Sequence, residues 1–367
     1  MNAPVLERDT RAVQKAGIVD CDVHVTQRSG AVLYPYLSKR WREHLETFGG
    51  HVRQGVSGIA FPRMMGAGQR LDAYPENGGP PGCDLALMQR QLLDAHGIET
   101  GMMVALGRGG MEERNQDYAR ALSHALNDWQ IEDWVKPEPR LKAGIVVPQE
   151  DAEFCAREIT ERAQNPDFRQ VIVSPRSAEP LGRKRYWPIY EAAEAAGLPI
   201  GLHPAAISGG APSTGTGWPN YYLEEHYSFE SGLQGTVTSL IFEGVFERFP
   251  KLRVALIEGG FTWAPALAWR MDRAWERMRA EVPHLKRPPS EYFREHVWFT
   301  TQPIEEPETP EHLAEVIDRL GWHRLMFSTD YPHWDFDDPR YVFKIKLSDA
   351  HKAAVFRDNA RAFYGLG

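Results

Sequence analysis

The sequence predicts an α/β protein in which eight parallel strands close into a (β/α)8 TIM barrel. Strand-like apolar runs alternate with helix-like segments from residue 18 to the end, which is typical of a parallel sheet covered by helices. Eight repeats suit a closed barrel, and one barrel domain can occupy all of residues 1–367. An open doubly wound sheet would give a similar alternation. Polar residues at the ends of several different strands favour the mouth of a barrel over a single crevice.

Each element follows from the local pattern of apolar residues. Short apolar runs between turn residues indicate strands, and apolar residues three or four positions apart indicate helices. The predicted strands cover residues 18–24, 99–105, 141–147, 169–173, 199–203, 252–258, 296–300 and 325–329. The predicted helices cover residues 83–96, 115–134, 151–163, 187–197, 231–248, 262–282, 309–319 and 349–363.

Two long insertions interrupt this alternation. Residues 25–82 follow strand 1 and residues 204–230 follow strand 5, and both segments are rich in glycine and proline. Loops of this length in a compact domain are usually lids or small subdomains, so we expect both to cover the mouth of the barrel. Residues 1–17 form an N-terminal extension without the apolar centre of a signal peptide.

Composition narrows the class of function. The net charge of −8 and the absence of a basic stripe argue against nucleic-acid binding. No apolar stretch approaches the roughly 20 residues that span a bilayer, so no membrane partner is expected. The three cysteines, Cys21, Cys83 and Cys155, are far apart, which fits a reducing cytoplasm. The composition therefore predicts a soluble cytoplasmic protein of the size of an enzyme.

Ligand-type side chains stand at the ends of three predicted strands. Asp22 and His24 are two residues apart on strand 1, so their side chains point to the same side. His203 ends strand 5 and precedes a proline, which keeps its backbone extended, and Asp330 follows strand 8. Zn²⁺, Mn²⁺ and Fe²⁺ all accept mixed imidazole and carboxylate ligands. These four residues predict one divalent metal site.

Three further residues are candidates for substrate binding. Arg176 follows strand 4 and is able to bind a substrate carboxylate through two parallel hydrogen bonds. Its alternative role is to pair with an acidic residue of the mouth. His333 and Trp334 follow Asp330 closely and are placed to line the pocket.

Several short motifs, in order along the chain, resemble those of the amidohydrolase superfamily. The likeness is to the amidohydrolase-related group around aminocarboxymuconate-semialdehyde decarboxylase. It is carried by residues 18–24, 201–204, 249–253, 328–333 and 359–366. The resemblance implies a barrel with one divalent metal at its C-terminal mouth, zinc first, with manganese or iron as alternatives. It implies the same four ligands and a homodimer or homotetramer.

The sequence departs from this family pattern at two positions. Asp22 stands where the family usually has the first histidine of a His-x-His pair. Relatives with a carboxylate there include non-oxidative decarboxylases of hydroxylated aromatic acids. Glu258 stands where strand 6 usually ends in an acid–base histidine. Glu258 would take that acid–base role if burial raised its pKa, bridge to a second metal, or pair with an arginine near the next helix.

A second metal is an alternative that the acidic mouth leaves open. Glu224 and His226 lie in the insertion after strand 5, and with Glu258 they would supply ligands. Some relatives hold two metals and activate oxygen. A dinuclear iron oxygenase is therefore one possible function of such a mouth.

The leading functional hypothesis is non-oxidative decarboxylation of a small aromatic or unsaturated carboxylic acid. In this reaction Asp330 delivers a proton to the carbon that loses CO₂. The hydrolytic alternative uses a metal-bound water whose proton Asp330 accepts. The last alternative is a scaffold subunit that has lost activity and pairs with a homologous subunit. Four intact ligand positions argue against this scaffold.

Overall fold

The computed structural model describes residues 17–49, 68–106, 109–111, 113–204, 217 and 219–367. Most of the predicted N-terminal extension, and parts of both insertions, lie outside these residues. All eight predicted strands and all eight predicted helical regions lie within the described part of the chain.

Eight parallel strands form one sheet whose order follows the chain, as predicted. Each strand pairs with the next one in sequence. Three backbone hydrogen bonds join the end of the sheet to its beginning, including His24 N to Tyr331 O at 2.8 Å and Asp330 N to Asp22 O at 3.1 Å. The sheet is therefore a barrel. Its strands are β1 (Ile18–Thr26), β2 (Ile98–Leu106), β3 (Leu141–Val146), β4 (Phe168–Val173), β5 (Ile200–Leu202), β6 (Val254–Leu256), β7 (Val297–Thr300) and β8 (Leu325–Met326).

The helices surround the barrel in the predicted alternation. They are α1 (Lys39–Phe48), α2 (Leu85–Met88), α3 (Gln116–Trp129), α4 (Ala152–Arg162), α5 (Trp187–Ala196), α6 (Tyr222–His226), α7 (Phe229–Phe242), α8 (Val245–Arg248), α9 (Ala264–Met278), α10 (Pro289–His296), α11 (Glu311–Leu320), α12 (Asp349–Ala353) and α13 (Asn359–Tyr364). Short π-helical segments extend α2 to Asp94 and α3 to Val135, and another joins α12 to α13.

The structure corrects the prediction in three details. The helix predicted over residues 231–248 is two helices, because Gly244 adopts a left-handed conformation with φ of 81° between α7 and α8. Helix α10 (Pro289–His296) was not predicted from the sequence. Strand β8 ends at Met326 rather than residue 329, because the following residues bond irregularly to β1, including Cys21 N to Phe327 O at 2.9 Å.

A register shift in β1 determines which side chains face the barrel interior. Val19 and Cys21 pack in a buried apolar cluster with residues of β2, β4, β6 and β8, so they point inward. The pairing of β1 with β2 shifts between Asp20 and Val23. A bulge of this kind exchanges the two faces of a strand. Val23 joins the outer core instead, and Asp22 and His24 are turned towards the mouth.

Two apolar clusters support this arrangement. The inner cluster joins strands on opposite sides of the ring and packs against Phe363 and Tyr364 of α13. The larger cluster lies between the strands and the surrounding helices. Among the described helices, none is long and apolar enough to cross a membrane.

Candidate metal centre

The first two candidate ligands are held rigidly on β1. The side chains of Asp22 and His24 are completely buried. The His24 Nδ1 atom lies 2.8 Å from the backbone oxygen of Val104 on β2. An Nδ1–H that donates to a carbonyl fixes the tautomer and leaves the Nε2 lone pair for a metal. His24 is therefore oriented as a ligand before any ion binds.

The remaining side chains come together from β5 and β6. His203 directly follows β5, and its Nε2 atom lies 3.7 Å from Asp22 Oδ2 and 2.9 Å from Glu258 Oε2. The distance from His24 Nε2 to Asp22 Oδ1 is 3.4 Å. One atom each from Asp22, His24, His203 and Glu258 lies within 4.8 Å of every other in this group. Side chains from three separate strands thus surround one point.

Asp330 forms a second, overlapping group with two histidines. Its Oδ1 atom lies 2.7 Å from His24 Nε2 and 2.6 Å from His333 Nδ1. Asp330 is completely buried, whereas the side chain of His333 is 17% exposed. The Asp330–His333 pair therefore connects the buried cluster with the mouth of the barrel.

Glu258 and Asp330 share an unusual backbone conformation. Among the described residues, they are the two non-glycine residues with positive φ, at 55° and 60°. Such a conformation costs a non-glycine residue about 1–3 kcal/mol and is concentrated at functional sites. Both residues lie just beyond a strand end. The strain turns each carboxylate back towards the axis of the barrel.

Burial dominates the electrostatics of the cluster. It raises the pKa of Asp22, although His24 opposes the rise, and it raises the pKa of Glu258, to which the charge of Asp330 contributes. Burial would also raise the pKa of Asp330, but His333 and His24 outweigh it and hold that pKa below its usual range. The carboxylates thus repel one another and depend on cationic partners.

The described residues fit a divalent metal. Both carboxylate oxygens of Asp22 and the Oδ2 atom of Asp330 are buried without a hydrogen-bond partner. Buried polar atoms are almost always satisfied, and buried charges are usually paired or bound to a metal. A metal at the point that these atoms surround would satisfy them together.

Asp20 is a functional candidate that the sequence reasoning missed. Its buried carboxylate accepts hydrogen bonds from Thr329 N at 3.0 Å, Thr329 Oγ1 at 2.6 Å and Asp22 N at 3.2 Å. Burial raises the pKa of Asp20 to about 7 despite these bonds. Asp20 lies two residues before Asp22 in the motif Asp20-Cys21-Asp22-Val23-His24, which was the available signal.

Arg176 lies at the mouth and is paired, as its alternative role predicted. Its side chain is only 10% exposed, and Nη2 lies 3.3 Å from Glu225 Oε1. Burial lowers the pKa of Arg176, and Glu225 and Glu258 oppose that change. The guanidinium also lies over the ring of Phe229. Arg176 is therefore a buried cation between α6 and the metal cluster.

Helix α6 contacts the loop after β8 through aromatic and polar groups. Trp334 Nε1 donates to the hydroxyl of Tyr222 at 2.9 Å. His226 Nε2 lies 3.0 Å from Asp335 Oδ2, and the rings of His226 and Trp334 are 5.8 Å apart. These contacts place part of the insertion after β5 beside His333 and Asp330.

The geometry does not favour Glu224 as a ligand of a second metal. Its side chain is exposed, and its Oε2 atom accepts hydrogen bonds from the backbone of Asn220 and Tyr221 at 2.8 and 2.7 Å. Glu224 therefore caps the start of α6. His226 is engaged by Asp335, and Glu258 pairs with His203 rather than with an arginine.

Fold and site together define a (β/α)8 barrel protein with a metal-binding group at the C-terminal ends of its strands. A family model described as Amidohydrolase matches residues 19–366. The chain therefore belongs to this amidohydrolase family.

Relatives in this family include decarboxylases. The chain is 28% identical to gamma-resorcylate decarboxylase of Polaromonas sp., over 75% of this chain and 86% of the relative. It is 26% identical to 2-amino-3-carboxymuconate-6-semialdehyde decarboxylase of Dictyostelium discoideum, over 49% and 48% of the two chains.

A solved structure confirms the fold. The structure of 5-carboxyvanillate decarboxylase from Novosphingobium aromaticivorans, with manganese and 4-hydroxy-3-methoxy-5-nitrobenzoic acid, superposes with a TM-score of 0.71. The identity is 20%, and the match covers 96% of this chain and 97% of the other.

Proposed function

We propose that this protein is a divalent-metal-dependent decarboxylase that removes CO₂ from an aromatic or unsaturated carboxylic acid without an oxidant. The observation that carries the proposal is the buried group of Asp22, His24, His203 and Glu258 at the mouth of the barrel, which Asp330 joins through His24 at 2.7 Å. The relatives described above are all decarboxylases, which supports the same reaction class.

The four side chains of this group would hold the metal. A bound divalent ion would supply positive charge that orients the substrate carboxylate and an adjacent oxygen. Zinc, manganese and iron all remain compatible with mixed imidazole and carboxylate ligands. The oligomer, a homodimer or homotetramer, and the cytoplasmic location stay proposals that rest on the family resemblance and the composition.

Asp330 is the proposed proton donor. Because His24 and His333 keep Asp330 charged at rest, the proton that Asp330 delivers to the carbon bearing the substrate carboxylate is one that first reaches it through His333. The bond from that carbon to the carboxylate then breaks, CO₂ leaves, and the electron pair of the broken bond restores the π bond that the proton had used. His333 Nδ1, 2.6 Å from Asp330 Oδ1 and partly exposed, connects Asp330 with solvent for reprotonation.

Arg176, His333 and Trp334 are the proposed substrate-binding residues. Arg176 is buried at the mouth and, by exchanging its single contact with Glu225, would bind an anionic group of the substrate through two parallel bonds. Trp334 is 45% exposed and offers a flat face beside His333. A planar acid would fit between these groups.

Hydrolysis is the second candidate, because the family to which the chain belongs is described as Amidohydrolase. In this alternative Asp330 accepts the proton of an attacking water. The two reactions need the same residues and differ in their products.

Release of CO₂ tests the proposal. Metal-loaded protein is incubated with 2,6-dihydroxybenzoate, 5-carboxyvanillate and related hydroxybenzoates, and CO₂ is measured together with O₂ uptake. We expect stoichiometric CO₂ without O₂ uptake, and a loss of about 10²–10⁴-fold in kcat for Asp330→Asn at saturating metal. Ester or amide cleavage with no CO₂ from any acid would favour the hydrolase. Uptake of O₂ would favour the oxygenase.

A further inference from the structure

Glu258 lies inside the group of atoms that surrounds the metal position. Its Oε2 atom is 2.9 Å from His203 Nε2, and His203 in turn faces Asp22. Two ligands on one metal are typically about 3 Å apart when each bond is roughly 2.1 Å. The distance between Glu258 and His203 therefore fits two neighbouring ligands of one metal. It also fits a hydrogen bond between the two side chains.

The backbone at Glu258 also indicates a directed carboxylate. Its φ is positive, at 55°, and among the described non-glycine residues only Asp330 also has a positive φ, at 60°. Thr300 contributes a side-chain oxygen 3.3 Å from the Glu258 amide and so holds the strained turn in place. The side chain of Glu258 is only about 8% exposed, which leaves little room for a solvated carboxylate.

The charge balance around Glu258 also favours a bound cation. Within the described residues, no lysine or arginine forms an ion pair with Asp22, Glu258 or Asp330, whose ion-pair partners are histidines. The nearest buried guanidinium, that of Arg176, is paired with Glu225. Buried carboxylates without a fixed cation are costly unless a metal compensates them.

We propose that Glu258 is itself a ligand of the metal, together with Asp22, His24, His203 and Asp330. This inference rests on the metal site of the proposed function and extends it. The donor set then has three carboxylates and two imidazoles. Carboxylate oxygens suit manganese, whereas imidazoles suit zinc equally well or better. A carboxylate at position 258 therefore reduces the advantage that Zn²⁺ has over Mn²⁺, compared with a site that has histidine at this position.

Metal affinity of variants tests this assignment without any substrate. Apparent dissociation constants for Mn²⁺ and Zn²⁺ are measured by chelator competition for the wild type, Glu258→Gln, Glu258→His and Asp22→Asn. Glu225→Gln is the matched control, because Glu225 is a buried mouth carboxylate outside the cluster. Circular dichroism of each metal-free variant confirms folding.

We expect Glu258→Gln to weaken Mn²⁺ binding at least 10-fold, as Asp22→Asn does, and Glu225→Gln to leave it unchanged. Glu258→His is expected to keep Zn²⁺ binding and to weaken Mn²⁺ binding relative to Zn²⁺ binding. An unchanged Mn²⁺ constant in folded Glu258→Gln overturns the assignment. Should that variant not fold, a structure of the Mn²⁺-loaded wild type decides: a Glu258 oxygen within roughly 2.2 Å of the ion supports it, and a distance beyond 3 Å overturns it. Loss of decarboxylation alone would leave the ligand assignment standing.

Discussion

Asp20 joins the two chain segments that carry three of the proposed ligands. Its carboxylate accepts the backbone N–H of Asp22 on one side and both the N–H and hydroxyl of Thr329 on the other. Thr329 immediately precedes Asp330, whose strained backbone must be held in place. Asp20 therefore positions ligands rather than touching the metal or the substrate.

Replacing Asp20 with asparagine should weaken metal binding. An amide nitrogen facing Thr329 Oγ1 cannot accept its hydroxyl proton, so the Asp330 segment loses one tether. Loss of such an outer partner typically costs 10–100-fold in metal affinity, measured by chelator competition. Thr329→Val should have a similar effect, and Thr329→Ser, which keeps the hydroxyl, should not. Equal affinities for all three variants would contradict the positioning role.

The four residues that were predicted from the sequence as metal ligands share the same placement relative to the strands. Asp22, His24, His203 and Asp330 stand in or just after predicted strands, and parallel strands bring their carboxyl ends to one mouth. The register shift in β1 could not be predicted, because it depends on pairing with β2. The position of Asp20 in the Asp20-Cys21-Asp22-Val23-His24 motif marked it as a candidate, but its positioning role depends on the hydrogen bonds to Thr329, which only the structure shows.

Helix α6 and the loop after β8 form a contact that borders the proposed substrate site. The hydrogen bond from Trp334 Nε1 to Tyr222 Oη is 2.9 Å long, and such a bond contributes about 1 kcal/mol. Removing it with Trp334→Phe should raise KM by roughly 5-fold and leave metal affinity unchanged.

A double-mutant cycle separates this bond from general packing. Tyr222→Phe removes the same bond from the other side, so the double variant should resemble either single variant. Additive effects of the two substitutions on KM would show that the bond does not act as a unit. This contact was not predicted, because Tyr222 lies in a short helix of the insertion and Trp334 in an irregular loop, and the tertiary fold sets how the two approach.

Helices α3 and α4 are joined by a buried carboxylate far from the mouth. Glu158 accepts hydrogen bonds from His124 Nδ1 and Asn127 Nδ2, both at 2.9 Å, and from Arg162 Nε at 2.7 Å. Burial would raise the pKa of Glu158, but these partners outweigh it and lower the pKa from 4.5 to about 2. The charged form is therefore stabilised by folding.

The stability provided by Glu158 should disappear in acid. Because its pKa is lower in the folded protein, its contribution is present above about pH 4.5 and is lost as the pH falls towards 2. At 1.36 kcal/mol per pKa unit, its upper limit is about 3 kcal/mol. Urea unfolding of metal-free wild type and Glu158→Gln should differ most at pH 7 and converge only near pH 2. A pH-independent difference would contradict this.

The barrel as a whole was predictable because its signal repeats eight times. Each strand–helix unit can be predicted separately from its own apolar pattern. Errors at the ends of elements, such as the end of β8 and the break at Gly244, do not alter the strand order. The insertions carry no such repeat. Helix α1 inside the first insertion and α6 inside the second therefore came from the structure alone.

Binding of a metal should stabilise the whole barrel. The site joins β1, β5 and the segments after β6 and β8, so an ion bound to the folded state alone shifts unfolding by mass action. At 100 times the dissociation constant the gain is about 2.7 kcal/mol, or roughly 5 °C in Tm. Scanning calorimetry with and without chelator measures this. Asp22→Asn is the control, whose Tm should not respond to the metal. If the Tm of the wild type did not respond either, the result would contradict a site formed by several strands.

The fate of the solvent proton tests the account most directly. Metal-loaded protein is given an accepted acid in D₂O, and the product is analysed by mass spectrometry and NMR. The account predicts one deuterium on the carbon that carried the carboxylate, one CO₂ per product, and loss of both in Asp330→Asn. A product that keeps its carboxylate, or that gains oxygen from labelled water or O₂, would contradict it.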